Sequence, residues 1–441
     1  MPGLLRSPFD RDIARLAIPA VGALAAEPLY LLTDTAIVGR LGTPQLGGLA
    51  VAASLLLTTY SAFIFLAYGT TGTVARLLGA GRPERAAAQG VQALWLAGGV
   101  GVVLAALGLT FAEPAVRLLG ADEEVVPFAL TYLRISMVGV PSLLLVLAGT
   151  GYLRGLQDTR TPLVVAVASA VGNLVLEVVL VFGLDAGIAG SAWSTVAVQT
   201  VAALVYLRLV GGHARRSGAS LRPDRAALSA LATVSRDLFV RTAALRASLL
   251  VATAVAARTG VVDLGAHQVA FELWSFLALV LDAIAIAGQA MVGRLLGAGD
   301  GPGARAASRR MLEWGVAAGL AFGVVVAALS GALPHLFTDD PAVARLASSL
   351  LLWVAALQVV NAVVFVLDGV LIGAGDLRHL AWAMTVAALA FVPAAVAVRI
   401  FDLGIGWLWA AITLLMLTRL VTLGTRWRSG AWAVEGADRP R

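Results

Sequence analysis

The chain has 441 residues, of which 59% are hydrophobic and only 13% are charged, and its mean hydropathy is +0.89. This composition cannot supply the surface of a water-soluble protein, so we expect lipid to be its main solvent. The 32 basic residues are all arginine and there is no cysteine, which excludes a Walker-type nucleotide-driven pump, Schiff-base chemistry and disulfides.

Apolar runs between charged, glycine or proline punctuation predict twelve spans, because a membrane-crossing helix needs roughly 20 apolar residues. The first six lie near 13–39, 46–75, 87–112, 124–152, 161–183 and 187–210. The second six lie near 229–257, 262–293, 306–331, 343–373, 379–401 and 404–425. We therefore predict an N-terminal six-helix lobe (1–212), a linker (213–228), a C-terminal six-helix lobe (229–425) and a tail (426–441).

The arginines are distributed unevenly between the two sets of loops. One set contains the N-terminal arginines, the midpoint linker and the tail, whereas the opposite loops contain only Arg40, Arg117, Arg258 and Arg399. Because arginine-rich loops stay in the cytoplasm, we predict that both termini are cytoplasmic. The all-arginine, alanine-rich composition is typical of a GC-rich bacterial genome, so we expect the bacterial inner (plasma) membrane. The net charge of +6 does not indicate nucleic acid as a partner, since no basic tract is interleaved with exposed aromatic residues.

The two halves repeat with an offset of 218 residues. Val74–Gly81 (VARLLGAG) recurs as Val292–Gly299 (VGRLLGAG), and Gly155 and Asp158 align with Gly373 and Asp376. Because each half contains six spans, the copies have the same orientation and are related by a pseudo-two-fold axis along the membrane normal.

Carboxylates inside the predicted spans are costly and therefore mark candidate sites. They are Glu27, Asp34, Glu177, Glu272, Asp282 and Asp368. Asp34 and Glu177 together could share a proton, because a carboxylate removed from water and placed near a second one is harder to ionise. With the oxygens of Asn173 and Thr195 they could instead form an oxygen cage for a monovalent metal ion. The residues alone leave both alternatives open.

The cluster is confined to the first half, since the counterparts of Asp34, Asn173 and Glu177 are Ala252, Phe391 and Ala395. Pro19 and Pro28 remove backbone hydrogen bonds in span 1 and offer a hinge next to Asp34. The four histidines do not have the spacing of a metal site.

Four motifs resemble multidrug and toxic compound extrusion (MATE) transporters, in particular the subgroup of DNA-damage-inducible F proteins. They are residues 28–42 (PLYLLTDTAIVGRLG), 264–270 (LGAHQVA), 281–299 (LDAIAIAGQAMVGRLLGAG) and 367–376 (LDGVLIGAGD). The resemblance implies an all-α membrane protein with two six-helix lobes arranged in a V. It also implies an antiporter that exports cationic or amphipathic compounds in exchange for protons or sodium ions.

The resemblance further assigns ion or proton coupling to Asp34, Tyr132, Asn173, Glu177 and Thr195, and a bending role to Pro19. The four oxygen ligands of a sodium ion would be Asp34, Asn173, Glu177 and Thr195. A glutamate at 177 departs from the aspartate usual in prokaryotic relatives, and this difference changes the size of such a cage. Candidate residues of the substrate cavity are Glu27, Tyr30, Gln268, Glu272 and Asp368.

Two alternative functions for this sequence are a lipid flippase and a membrane enzyme. A flippase for a lipid-linked precursor would need a cationic cavity, for which Arg134 and Arg246 are the candidate interior cations. A membrane enzyme is not expected, because no Ser/His pair or zinc-protease motif is present. We expect no cofactor beyond the coupling ion, and a monomer whose partners are membrane lipid and a small organic substrate.

Overall fold

Helices make up most of the chain in the computed structural model, which describes residues 7–438 apart from the side chains of residues 27, 62 and 234. Twelve segments within that range are long and apolar enough to cross a membrane, and they coincide with the twelve predicted spans to within a few residues at most ends. The helices are α1 Asp10–Val38, α2 Thr43–Phe63, α3 Phe65–Gly79, α4 Pro83–Leu118, α5 Val126–Gly155, α6 Arg160–Val178, α7 Gly187–Arg216, α8 Arg225–Thr259, α9 Val261–Gly297, α10 Gly301–Leu329, α11 Pro341–Gly373, α12 Leu377–Ile400 and α13 Ile405–Ser429. The prediction of an all-α membrane protein with twelve spans is confirmed.

Two interruptions were not predicted from the apolar pattern. The second span consists of α2 and α3, which are separated at Ile64. The fifth span continues beyond α6 as a π-helical turn, Val179–Gly183, directly after Glu177. Such turns are rare and occur frequently at functional sites.

The described residues form two compact units. The N-unit comprises Pro19–Ser235, and the C-unit comprises Met1–Ile18 with Arg236–Arg441. In the N-unit α5 packs against α2, α3, α4 and α7, and in the C-unit its counterpart α11 packs against α9, α10 and α13. The same pairings therefore recur in both halves, as the sequence repeat predicts.

Glycines at equivalent positions of the two halves allow the same close helix crossing and the same turn in each half. A Cβ on Gly155 of α5 would lie 2.7 Å from Cβ of Val74, and a Cβ on its counterpart Gly373 would lie 2.6 Å from the carbonyl oxygen of Gln289. Small residues allow two membrane helices to approach this closely. The turns after the VARLLGAG and VGRLLGAG segments are also equivalent, since Gly81 and Gly299 have φ of 69° and 77°, which favour glycine.

The N-terminal boundary differs from the predicted lobe of residues 1–212. The first turns of α1 belong to the C-unit, where Asp10 accepts hydrogen bonds from Nε of Arg310 at 2.6 Å and from Nε1 of Trp314 at 2.9 Å. The pattern of apolar residues could not show this, because an ion pair between residues 300 positions apart leaves no local signal.

The predicted linker and tail are both shorter than expected, and both are held in place. Helix α7 continues to Arg216 and α8 begins at Arg225. The segment between them is bound to α4, where the Gln92 amide donates to the carbonyl of Arg222 at 3.0 Å and accepts from the backbone N–H of Asp224 at 2.9 Å. Beyond α13, Trp432 is buried.

Candidate functional site

Asp34 is the centre of a buried polar cluster in the N-unit. Its side chain is held from two other helices, because Tyr132 of α5 donates to Oδ2 at 2.8 Å and Ser191 of α7 donates to Oδ1 at 2.7 Å. Asp34 is 2% exposed. A carboxylate in this position accepts hydrogen bonds well, but it is shielded from water, so its charge is sensitive to any proton or cation nearby.

Glu177 and Asn173 of α6 complete the cluster on the side of Asp34 that does not line the cavity. They lie four residues apart, and Nδ2 of Asn173 donates to Oε2 of Glu177 at 3.3 Å. The side chains of Asp34 and Ser191 lie close enough to Glu177 to act on its carboxyl group electrostatically. Both residues are fully buried, yet Oδ1 of Asn173 and Oε1 of Glu177 have no hydrogen-bond partner among the described residues. Two neighbouring carboxyl groups away from water are stabilised by a shared proton or a bound cation, and these two oxygens have no other partner among the described residues.

Thr195 joins the cluster through α7. Its hydroxyl donates to the carbonyl oxygen of Ser191 at 3.2 Å, so it accepts the hydrogen bond that it shares with the Tyr30 hydroxyl. The five residues that the resemblance assigned to coupling, Asp34, Tyr132, Asn173, Glu177 and Thr195, therefore lie in one cluster.

The cluster borders a cavity of about 310 Å³ within the N-unit. Asp34, Tyr30, Tyr132 and Thr195 line it, whereas Asn173 and Glu177 do not. Five of the six tyrosines of the chain line this cavity: Tyr30, Tyr60, Tyr68, Tyr132 and Tyr206. Aromatic faces attract cations, and the remaining lining is mostly apolar, so the cavity suits an amphipathic molecule.

The other predicted cavity residues lie elsewhere. Gln268 and Glu272 are exposed on α9 of the C-unit, and the side chain of Glu27 lies outside the described residues. Asp368 is buried on α11, where Oδ2 accepts from Arg241 at 2.5 Å and also from Arg419. Within the described part of the chain, only Tyr30 of these candidates borders the N-unit cavity.

Ser191 and three of the five cavity tyrosines, Tyr60, Tyr68 and Tyr206, were not predicted. Ser191 lies four residues before Thr195, a spacing that places both on one face of α7, so the sequence contained a usable signal. The tyrosines lie on five different helices, and nothing in their spacing brings them together. The interior cations also differ from expectation, since Arg134 and Arg246 are exposed. The buried arginines are Arg76, Arg154, Arg241, Arg310 and Arg419.

The C-unit has apolar residues where the N-unit has its cluster. Ala252, Phe391 and Ala395, the counterparts of Asp34, Asn173 and Glu177, are completely buried, and so is Trp409, the counterpart of Ser191. Bulky rings therefore occupy helix positions that carry polar groups in the N-unit. The asymmetry predicted from the sequence is present in the packed structure.

Comparison with known proteins places these features in a family context. The MatE family model matches residues 19–179 and 239–397. DNA damage-inducible protein F of Escherichia coli (strain K12) is 32% identical over 436 residues, covering 96% of this chain and 94% of that protein. The chloroplastic protein DETOXIFICATION 44 of Arabidopsis thaliana is 32% identical over 439 residues, covering 96% of this chain and 83% of the relative. The crystal structure of a MATE protein in the straight conformation superposes with a TM-score of 0.85 at 20% identity, covering 98% of this chain and 97% of the other.

Proposed function

The chain belongs to the MatE family of multidrug and toxic compound extrusion transporters, and on that premise we propose that it is a secondary active antiporter. It exports cationic or amphipathic organic compounds across the plasma membrane, and protons or sodium ions move inward in exchange. The observation that carries the proposal is the proximity of two buried carboxyl groups, that of Asp34 in the wall of a tyrosine-lined cavity and that of Glu177 next to it.

Antiport through one site requires that the coupling ion and the substrate weaken each other's binding. Asp34 meets this requirement, because it lines the cavity and also interacts electrostatically with the second carboxyl group. A proton or a metal ion held between Asp34 and Glu177 removes the negative charge that attracts an organic cation. Release of that ion restores the charge, so the two ligands bind in turn.

Ion binding also changes how α1 is held. Deprotonated Asp34 accepts one hydroxyl on each oxygen, from Tyr132 of α5 and from Ser191 of α7. A proton on either oxygen makes that oxygen a donor and a weaker acceptor, so the hydrogen bond that it accepts from a hydroxyl is weakened. Pro19 and Pro28 lie within α1, where each removes a helical hydrogen bond, and they supply the hinge that lets α1 respond.

Protons and sodium ions make different use of the same atoms. A proton needs only Asp34 and Glu177. A sodium ion needs several oxygen ligands, for which the unpartnered Oδ1 of Asn173 and Oε1 of Glu177 are available beside Asp34 and Thr195. Each inward monovalent cation supplies about 2.3 kcal/mol per 100 mV of membrane potential, so one or two ions sustain a substantial gradient of exported substrate.

The test is uptake of a fluorescent organic cation into inverted vesicles under an imposed proton gradient or an imposed sodium gradient, applied separately. Wild-type chain is compared with Asp34→Asn and with Glu113→Gln, a matched control because the Glu113 side chain is half exposed and pairs only with Arg117 among the described ion pairs. We expect one gradient to drive transport, and Asp34→Asn to abolish it. Full transport by Asp34→Asn would refute the coupling role, and no transport under either gradient would refute the antiporter.

A further inference from the structure

Arg154 is a second charged residue in the wall of the N-unit cavity. It lies in the last turn of α5 and is 7% exposed. Asp34 and Arg154 are the only acid and the only base among the described residues that line this cavity. No ion pair or hydrogen bond of the Arg154 side chain is present within residues 7–438, apart from the masked side chains.

The nearest carboxylate in the sequence does not neutralise Arg154. Asp158 follows α5 by three residues, and it accepts hydrogen bonds from the backbone N–H groups of Arg160 and Thr161 at 3.1 and 3.0 Å. Its second oxygen accepts the Thr161 hydroxyl at 2.5 Å. Asp158 therefore caps the start of α6. A buried guanidinium without a carboxylate in contact is costly, and such a group marks a place where a ligand with negative charge is bound.

Tyr206 provides an additional unused donor beside Arg154. Its hydroxyl oxygen accepts a hydrogen bond from Thr150 at 2.9 Å, which leaves the tyrosine proton free to donate. The guanidinium of Arg154 lies close enough to this hydroxyl to interact with it electrostatically. Gly149 makes room for the ring, because a Cβ there would lie 2.6 Å from it. Arg154 and Tyr206 thus offer several N–H and O–H donors to one end of the cavity. No hydrogen bond from these donors to a described residue is formed, and Asp158 acts on the Tyr206 hydroxyl only through its charge.

We propose that Arg154 and Tyr206 form a binding site for an oxyanion, a carboxylate or a phosphate, carried by an amphipathic substrate. The inference rests on the proposed function in taking this cavity as the substrate route. The site is separate from the coupling cluster, because Arg154 follows Tyr132 by 22 residues on α5, roughly 33 Å along the helix, and Tyr206 follows Thr195 by 11 residues on α7, roughly 16 Å. The exported compounds accordingly include acidic or zwitterionic molecules as well as simple cations.

Two matched dyes test this directly. Rhodamine 110 carries a free carboxylate, and rhodamine 123 is its methyl ester, so the two differ in one negative charge. Binding of each dye to the purified full-length chain in phosphatidylcholine nanodiscs is measured by fluorescence anisotropy. The variants are Arg154→Gln, which removes the charge, Arg154→Lys, which keeps it, and Tyr206→Phe, which removes one hydroxyl.

We expect Arg154→Gln to raise the Kd of rhodamine 110 about tenfold or more, because a hydrogen-bonded charge pair is lost, and to change the Kd of rhodamine 123 less than about twofold. Arg154→Lys should restore most of the loss, and Tyr206→Phe should weaken rhodamine 110 about threefold. Equal changes for both dyes, no change for either, or no binding of rhodamine 110 to the wild-type chain would overturn the site.

Replacing part of the phosphatidylcholine with phosphatidylglycerol separates a soluble substrate from a lipid headgroup as the source of the oxyanion. If the lipid headgroup occupies Arg154, it competes with the dye, so rhodamine 110 binds the wild-type chain more weakly in the anionic discs. The Arg154→Gln variant then binds the dye equally in both kinds of disc. This result supports the site and assigns it to lipid. Equal binding to the wild-type chain in both discs supports a soluble substrate. These measurements require no ion gradient, so loss of gradient-driven transport with intact dye discrimination would contradict the proposed function alone.

Discussion

Replacing Asp368 with asparagine tests whether this carboxylate holds the C-unit together or binds substrate. Oδ2 of Asp368 accepts hydrogen bonds from Arg241 and Arg419, whose side chains are 11% and 4% exposed. The substitution removes the negative charge that faces both arginines and replaces one acceptor oxygen with an NH2 donor, while the other hydrogen-bond partner of Arg419 among the described residues is only the sulfur of Met416. Removing one member of a buried ion cluster costs about 3–5 kcal/mol, and an unpaired arginine at mid-membrane costs about 2.5–3.5 kcal/mol on insertion scales.

For a unit of this size we therefore expect the midpoint of thermal unfolding to fall by roughly 6 to 20 °C, since 1 kcal/mol corresponds to about 2–4 °C. The midpoint is followed by tryptophan fluorescence of purified protein, with Glu113→Gln as the control at an exposed pair, which should shift by less than about 2 °C. A normal midpoint for Asp368→Asn combined with lost transport would refute the structural role. Asp368 would then be a residue of the substrate cavity, as the sequence analysis suggested.

Removing either hydroxyl that reaches Asp34, by Tyr132→Phe or Ser191→Ala, should slow gradient-driven efflux by about tenfold or more, because each hydrogen bond to a charged group contributes about 1.5–3 kcal/mol. Unchanged initial rates would contradict this. Gly155→Leu should prevent accumulation of folded protein, because even a Cβ at this position would lie 2.7 Å from Cβ of Val74. A normal elution profile of the variant in size-exclusion chromatography would count against the close helix crossing. Asp10→Asn should lower the thermal midpoint by several degrees, because Arg310 and Trp314 lose a charged acceptor, and an unchanged midpoint would show that this contact is not stabilising.

Several of these outcomes depend on contacts that no pattern in the sequence reports. The six intramembrane carboxylates had similar sequence signatures, yet Asp34 borders a cavity and Asp368 is held by two arginines. Arg134 and Arg246 looked like interior cations because each falls within a predicted span, but both are exposed. The direction of a side chain around a helix that is apolar on all sides cannot be inferred from periodicity, because every face is apolar.

The sequence by itself determined the twelve spans, the repeat and the asymmetry between the halves. Long apolar runs can cross a bilayer only as helices, and a constant offset of 218 residues carries the packing of one half over to the other. It also identified Asp34 and Glu177, because ionisable groups are rare and expensive in such runs.

Only the tertiary structure decided which polar groups meet. Tyrosines from five helices line one cavity, Ser191 completes the hydrogen bonds of Asp34, Arg154 lacks a carboxylate partner among the described residues, and the first turns of α1 pack in the C-unit. Each of these facts depends on distances between residues far apart in the chain, which helix packing fixes and which local composition does not encode.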